Sequence, residues 1–156
     1  MTRAKRRALA ARFGFACGYC GTSETDAGAS HTVDHFQPSS RGGSDDETNW
    51  VYACFACNGF KGDYYPQSAN DLFLLKPFRD DFSLHLREAT NGELEPLSLR
   101  GRFHIETLHL NRPQLIEKRL ASARLERERR ENERILRERD ELEAQVALLM
   151  KELFGE

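Results

Sequence analysis

The spacing of apolar residues divides the chain into stretches of different character. Near the start, Ala4, Ala8, Leu9 and Phe13 fall on one side of a helical turn with basic residues opposite, which predicts a short amphipathic helix over residues 3–13. Val33–Phe36 and Asn49–Tyr52 read as two short strands joined by a loop containing Pro38, Gly42 and Gly43. Cys57-Asn58 then opens a short helix, with Lys61 one turn further on. Between residues 82 and 97 the period drops to two. Phe82, Leu84 and Leu86 alternate with Ser83, His85 and Arg87, Asn91-Gly92 supplies a turn, and a return strand runs through Leu94–Leu97. Pro96 lacks the N–H that a central strand needs, so that strand is an edge. A helix over Phe103–Leu110 follows.

Pro113 opens a different pattern. Gln114 to Phe154 contains no Pro and no Gly and is dominated by Glu, Arg, Leu and Ala, which predicts a helix spanning about 60 Å. One heptad frame places Leu125, Glu128, Asn132, Ile135, Arg139, Leu142, Val146 and Leu149 on a seam that becomes more apolar toward its end. Glu126 to Arg130 and Glu133 to Arg137 are spaced for ion pairs on the solvent-facing sides. The organisation expected is a domain over residues 1–112, with its motifs in 14–63, and a helical arm over 113–156 that forms a coiled coil or docks on a partner.

Charge changes this picture locally. The chain of 156 residues has a net charge of only −2, too little positive charge for bulk attraction to a polyanion. Residues 1–12 nevertheless carry Arg3, Lys5, Arg6, Arg7 and Arg12 with no acid, whereas residues 13–112 hold eight basic and fourteen acidic side chains. Any polyanion contact must therefore use a local patch, a metal ion or a partner. No apolar run of about 18 residues is present, so no membrane-spanning helix is expected. The basic start is not followed by the apolar stretch of a secretory leader, which points to the cytoplasm.

In that compartment the cysteines are better read as metal ligands than as disulfides. Cys17-Gly-Tyr-Cys20 and Cys54-Phe-Ala-Cys57 are two C-x-x-C pairs, each able to place two thiolates at neighbouring corners of a tetrahedron. Four thiolates close the shell of Zn²⁺ and leave no position for substrate, so the ion is expected to be structural. Between the pairs, Asp34-His35 sets a carboxylate beside an imidazole, and Asn58 follows Cys57 directly.

These residues resemble the HNH endonuclease family, whose core is the ββα-metal fold. The resemblance covers residues 14–63. It rests on Asp34-His35, then Asn49, then Asn58, then Lys61, a spacing also seen in the nuclease domain of RNA-guided CRISPR effectors, and on the flanking C-x-x-C pairs of the zinc-stapled branch. Leu108-His-Leu-Asn-Arg-Pro113 looks like the tail of small stand-alone HNH proteins. The fold class expected is α+β: a ββα-metal core stapled by zinc, an added β-hairpin and a long C-terminal helix.

Phosphodiester hydrolysis needs an activated water, charge neutralisation and a stabilised leaving group. Imidazole titrates near neutrality, which suits His35 as general base. Asp34 and Asn58 offer hard oxygen donors to one Mg²⁺ or Mn²⁺. The resemblance implies that Asn49 ties the loop so that His35 points inward, that Lys61 faces the phosphate, and that the products carry 5′-phosphate and 3′-hydroxyl ends. His31, three residues before Asp34, is an additional candidate, and Arg41 is a candidate backbone contact. Trp50 and Phe55 offer a stacking reading, with a core position as the alternative. Three functions follow: a metal-dependent endonuclease that nicks DNA (RNA is also open) and makes double-strand breaks as a homodimer; a nuclease subunit of an anti-phage or restriction assembly docked through the helix on a partner such as an ATPase; or a zinc module that binds without cutting.

Overall fold

The computed structural model describes residues 2–155. The chain forms two units, residues 1–116 and 117–156.

The first unit begins with α1 (Arg3–Arg12), whose N-terminus is capped by the Thr2 hydroxyl accepting from the Lys5 N–H. Leu9 and Ala10 are its buried positions, packed with Trp50 and Tyr52. A single turn, α2 (Glu24–Ala27), carries a reciprocal Ser23/Asp26 capping box and was not anticipated from the pattern. It lies between the first C-x-x-C pair and the antiparallel strands β1 (Thr32–His35) and β2 (Trp50–Ala53), in which His35 faces Trp50 and Asp34 faces Val51. Every residue of β2 is buried.

Helix α3 (Phe55–Lys61) follows at once, with the Cys54 sulfur as its N-cap acceptor. It starts two residues before the expected Cys57 because Cys54 itself turns the chain into it. Strand β1, strand β2 and α3 make a ββα unit.

The hairpin is shorter than the alternation suggested. Phe82–Leu84 forms a 3₁₀ turn, because Asp81 Oδ1 accepts from both the N–H and the hydroxyl of Ser83 and bends the backbone. Pairing begins only at β3 (Leu86–Glu88), opposite β4 (Leu94–Pro96). Helix α4 (Leu99–Thr107) begins four residues earlier than expected, where Ser98 caps the Gly101 N–H. The main core joins Tyr19, Phe36, Val51, Leu74, Ile105, Leu108, Leu110 and Leu115. His104 is wholly buried, accepts the Leu75 N–H at Nδ1 (3.1 Å), and is pushed down to about 3 by burial.

Helix α5 (Pro113–Phe154) has 42 residues, about 63 Å. Proline at its first position costs no hydrogen bond there. Its first turn, with Leu115 in the core, belongs to the first unit. In the second unit, residues 117–156, Leu125, Ile135, Leu142, Val146 and Leu149 are exposed. The ion pair Glu126–Arg130 forms at 2.8 Å, whereas Glu133 meets Arg129 at 2.8 Å. Among the described residues no helix is long and apolar enough to cross a membrane.

Candidate active site and metal centre

The sulfur atoms of Cys17, Cys20, Cys54 and Cys57 all lie within 4.8 Å of one another, with Cys20 and Cys54 at 3.8 Å. A tetrahedron with Zn–S bonds of 2.3 Å has edges of about 3.8 Å, so the four donors fit that ion. Gly21 closes the first pair with φ +69°, a conformation open to glycine. Hydrogen bonds among the thiols, led by those from Cys17, draw the Cys20 sulfur well below the usual thiol range and Cys54 down to about 6. Cys17 and Cys57 are pushed up by the same sharing of protons. Four thiolates around one Zn²⁺ would leave this corner net negative.

Arg112 answers that charge from the other side. Its guanidinium lies 3.9 Å from the Cys57 sulfur and 4.0 Å from that of Cys54, while also donating to the Leu108 and His109 carbonyls. Burial works against its charge, but the sulfurs of Cys57, Cys20 and Cys54 outweigh that and raise its pKa. The Leu108–Pro113 segment therefore has a physical reason for its arginine: the chain is tied back to the metal centre.

From this sulfur corner two arms reach the Asp34 carboxylate. Tyr19, held between Cys17 and Cys20, donates its hydroxyl to Asp34 Oδ2 at 2.5 Å. Lys61, one turn beyond Cys57, donates its ammonium to Asp34 Oδ1 and to the His35 carbonyl, each at 2.9 Å. Burial raises the Asp34 pKa, and Lys61 and Tyr19 pull it back only in part. Burial and the Asp34 charge raise that of Tyr19. A carboxylate has about four acceptor sites, so two are left after these bonds.

Asp34 shares a cleft of about 250 Å³ with Val33, His35, Asn58 and Asp63. Among the described residues the Asn58 side-chain amide has no hydrogen-bond partner, which leaves its oxygen available. A partly used carboxylate and an unused amide oxygen fit a hard divalent cation. His35 is 31% exposed, and its Nε2 lies 2.9 Å from Asp45 Oδ1. The Trp50 indole N–H holds the same oxygen at 3.0 Å.

Asn49 acts on the loop. Its amide oxygen accepts the Gln37 N–H at 2.9 Å, and its amide nitrogen donates to the carbonyls of Gln37 and Ser44 at 2.9 and 2.8 Å. The loop is so tight that a Cβ on Gly43 would lie 1.8 Å from the Gln37 carbonyl oxygen.

Residues 17–63 match the family model described as HNH endonuclease. This segment is an HNH endonuclease domain. No curated protein and no solved structure matches the chain.

Two placements differ from the sequence expectation. Lys61 points into the fold rather than out to solvent: its side chain is fully buried and pairs with the Asp34 carboxylate of β1 at 2.9 Å. His31 stands outside the cleft; it is 2% exposed and bonds the Thr22 carbonyl through Nε2 at 2.7 Å, with its ring against Tyr52. Trp50 is buried, whereas Phe55 is exposed. Arg41 pairs with Asp63 (3.6 Å) at the cleft rim and with Gln67. Sequence reading passed over Tyr19, Asp45 and Arg112. Tyr19 carried a signal, its place inside a C-x-x-C pair; Asp45 sits in a run of acids where nothing distinguishes it.

Proposed function

We propose that the protein is a metal-dependent endonuclease that cuts one DNA strand per site. The observation that carries this reading is the cleft in which His35, Asp34 and Asn58 meet. In it, His35 takes a proton from the attacking water. Its Nε2–H is committed to Asp45, which leaves Nδ1 as the accepting nitrogen. Asp34 and Asn58 hold one Mg²⁺ or Mn²⁺, which when bound supplies positive charge to the phosphate and the departing 3′-oxygen. Tyr19 and Lys61 fix the Asp34 carboxylate, and Asn49 fixes the loop that brings Asp45 to the imidazole. Cutting leaves 5′-phosphate and 3′-hydroxyl ends. Supercoiled plasmid with Mg²⁺ or Mn²⁺ should give nicked circles, and His35→Ala should lower the rate by about 10²–10⁴ with zinc content unchanged. Equal cutting by that variant would remove His35 from the mechanism.

The exposed row of Leu125, Ile135, Leu142, Val146 and Leu149 supports a second element: residues 117–156 pair with a second copy or dock on a partner subunit of an anti-phage or restriction assembly. Sedimentation should show that the full chain self-associates and that a chain ending at residue 116 does not. Monomers in both cases, with cutting restored by a co-purifying protein, would favour the partner over the homodimer.

A further inference from the structure

A second cavity, about 400 Å³, is lined in part by residues that lie close in sequence to those of the catalytic cleft. The two share their chain segments. His35 lines the first and Phe36 the second; Asp63 lines the first and Tyr65, two residues on, the second. Most of its wall comes from residues 65–100, outside the matched HNH segment.

The wall has two chemistries. One part is aromatic: Phe36, Tyr65 and Phe73, the last two meeting edge to face at 5.7 Å. The other is cationic. Arg100 is occupied, holding Asp80 at 2.8 Å and the Phe73 and Leu74 carbonyls, so it shapes the segment rather than offering free charge. Lys76 and Arg79 are different. Among the described residues neither is in an ion pair, and the Lys76 ammonium lies 5.2 Å from the centre of the Phe36 ring. Burial lowers the Lys76 pKa, and the charges of Arg79 and Arg12 lower it further. Positive charge is thus crowded here, offset only in part by Asp80, which lines the same wall and is held by Arg100. Crowded cations beside aromatic faces suit an anion attached to a flat ring. The volume suits a ligand of that size.

We propose that this cavity is a subsite for one unstacked nucleotide of a single strand, with its base against Phe73 and Tyr65 and its phosphate on Lys76 and Arg79. The proposal rests on the nuclease reading and extends it: the nucleotide bound here flanks the phosphate in the catalytic cleft. A base inside a duplex cannot reach such a wall, so the subsite favours single-stranded or locally opened substrate.

The test is binding, read by fluorescence anisotropy with fluorescein-labelled 12-nucleotide DNA and RNA, no added divalent ion, and the full chain carrying His35→Ala. Lys76→Ala/Arg79→Ala should weaken binding about tenfold. It should also flatten the salt dependence by about 0.7, the value for one phosphate no longer neutralised on a single strand. Phe73→Ala, at a 44% exposed position, should weaken binding several-fold and reduce quenching of a 2-aminopurine base. The Phe73 effect should vanish on an abasic strand. Loss on only one polymer keeps the subsite and names the polymer. Unchanged affinity and salt slope in the double variant, or equal Phe73 losses on abasic strand and duplex, would overturn the proposal. The two readings separate cleanly, because plasmid nicking by the His35→Ala chain bears on catalysis alone and these arms on the subsite alone.

Discussion

Helix α3 serves two sites built on opposite principles. Its entry carries the sulfur corner, where Cys54 and Cys57 meet Cys17 and Cys20; beyond it Asn58 lines the oxygen-lined cleft and Lys61 reaches the Asp34 carboxylate. The sulfur corner is closed by its own donors, all within 4.8 Å. The cleft is open, and its donors are held in place by groups that do not line it. Tyr19 and Lys61 grip Asp34, Asp45 grips His35, and Asn49 grips the loop. The difference teaches where rigidity originates. Tyr19 is fixed between two zinc-ligand candidates and Lys61 lies one turn past another, so both ends of the Asp34 clamp hang from the sulfur corner.

The largest expected effect comes from breaking that corner. Cys57→Ser, or removal of zinc by a chelator, should unfold residues 1–116, since structural zinc contributes about 10–16 kcal/mol in small metal-stapled folds. Far-UV circular dichroism with metal analysis checks it. A Cys57→Ser chain that folds and cuts without zinc would mean that the cleft stands by itself, and the dependence drawn above would fail.

Next in size is the buried ion pair. Lys61→Met removes the cation beside Asp34, whose side chain is 6% exposed, and should destabilise the first unit by about 3 kcal/mol. Denaturant unfolding of the zinc-loaded chain measures this. The same variant decides between two roles for the lysine. Lost stability with unchanged KM supports the clamp; parental stability with raised KM would return Lys61 to the phosphate.

This contrast also explains what the sequence revealed. The sulfur corner was legible because cysteine is scarce and each pair is local: two residues apart, with chemistry that admits few alternatives. The ββα unit followed from the same short-range signals, as did α1 and α5. The supports of the cleft were not legible. Tyr19 reaches Asp34 across 15 positions and Lys61 across 27, and both are common residue types. Lys61 was placed by motif position, which says that a residue matters and not which atom it touches. The hairpin failed for a related reason. The alternation of Phe82, Leu84 and Leu86 is genuine, but the Asp81–Ser83 bonds override it over three residues.

The smallest effect tests the most exposed support. Asp45 is 74% exposed at its side chain, so water competes for its carboxylate, yet one oxygen receives both His35 Nε2 and the Trp50 indole N–H. These bonds draw the Asp45 pKa down, with that to His35 the largest influence. A positioning role predicts that Asp45→Ala lowers kcat about tenfold with KM unchanged, well short of the 10²–10⁴ expected when the base itself is lost. Asp45→Asn should retain most of the rate, because its amide oxygen can accept the same two hydrogen bonds. Imidazole ¹⁵N shifts give a readout independent of cutting. The parent should hold the proton on Nε2, Asp45→Asn should keep it there, and Asp45→Ala should populate both tautomers. If the alanine variant keeps both the tautomer and kcat, the loop positions His35 without Asp45, and the open site owes its geometry to Asn49 and the sulfur corner alone.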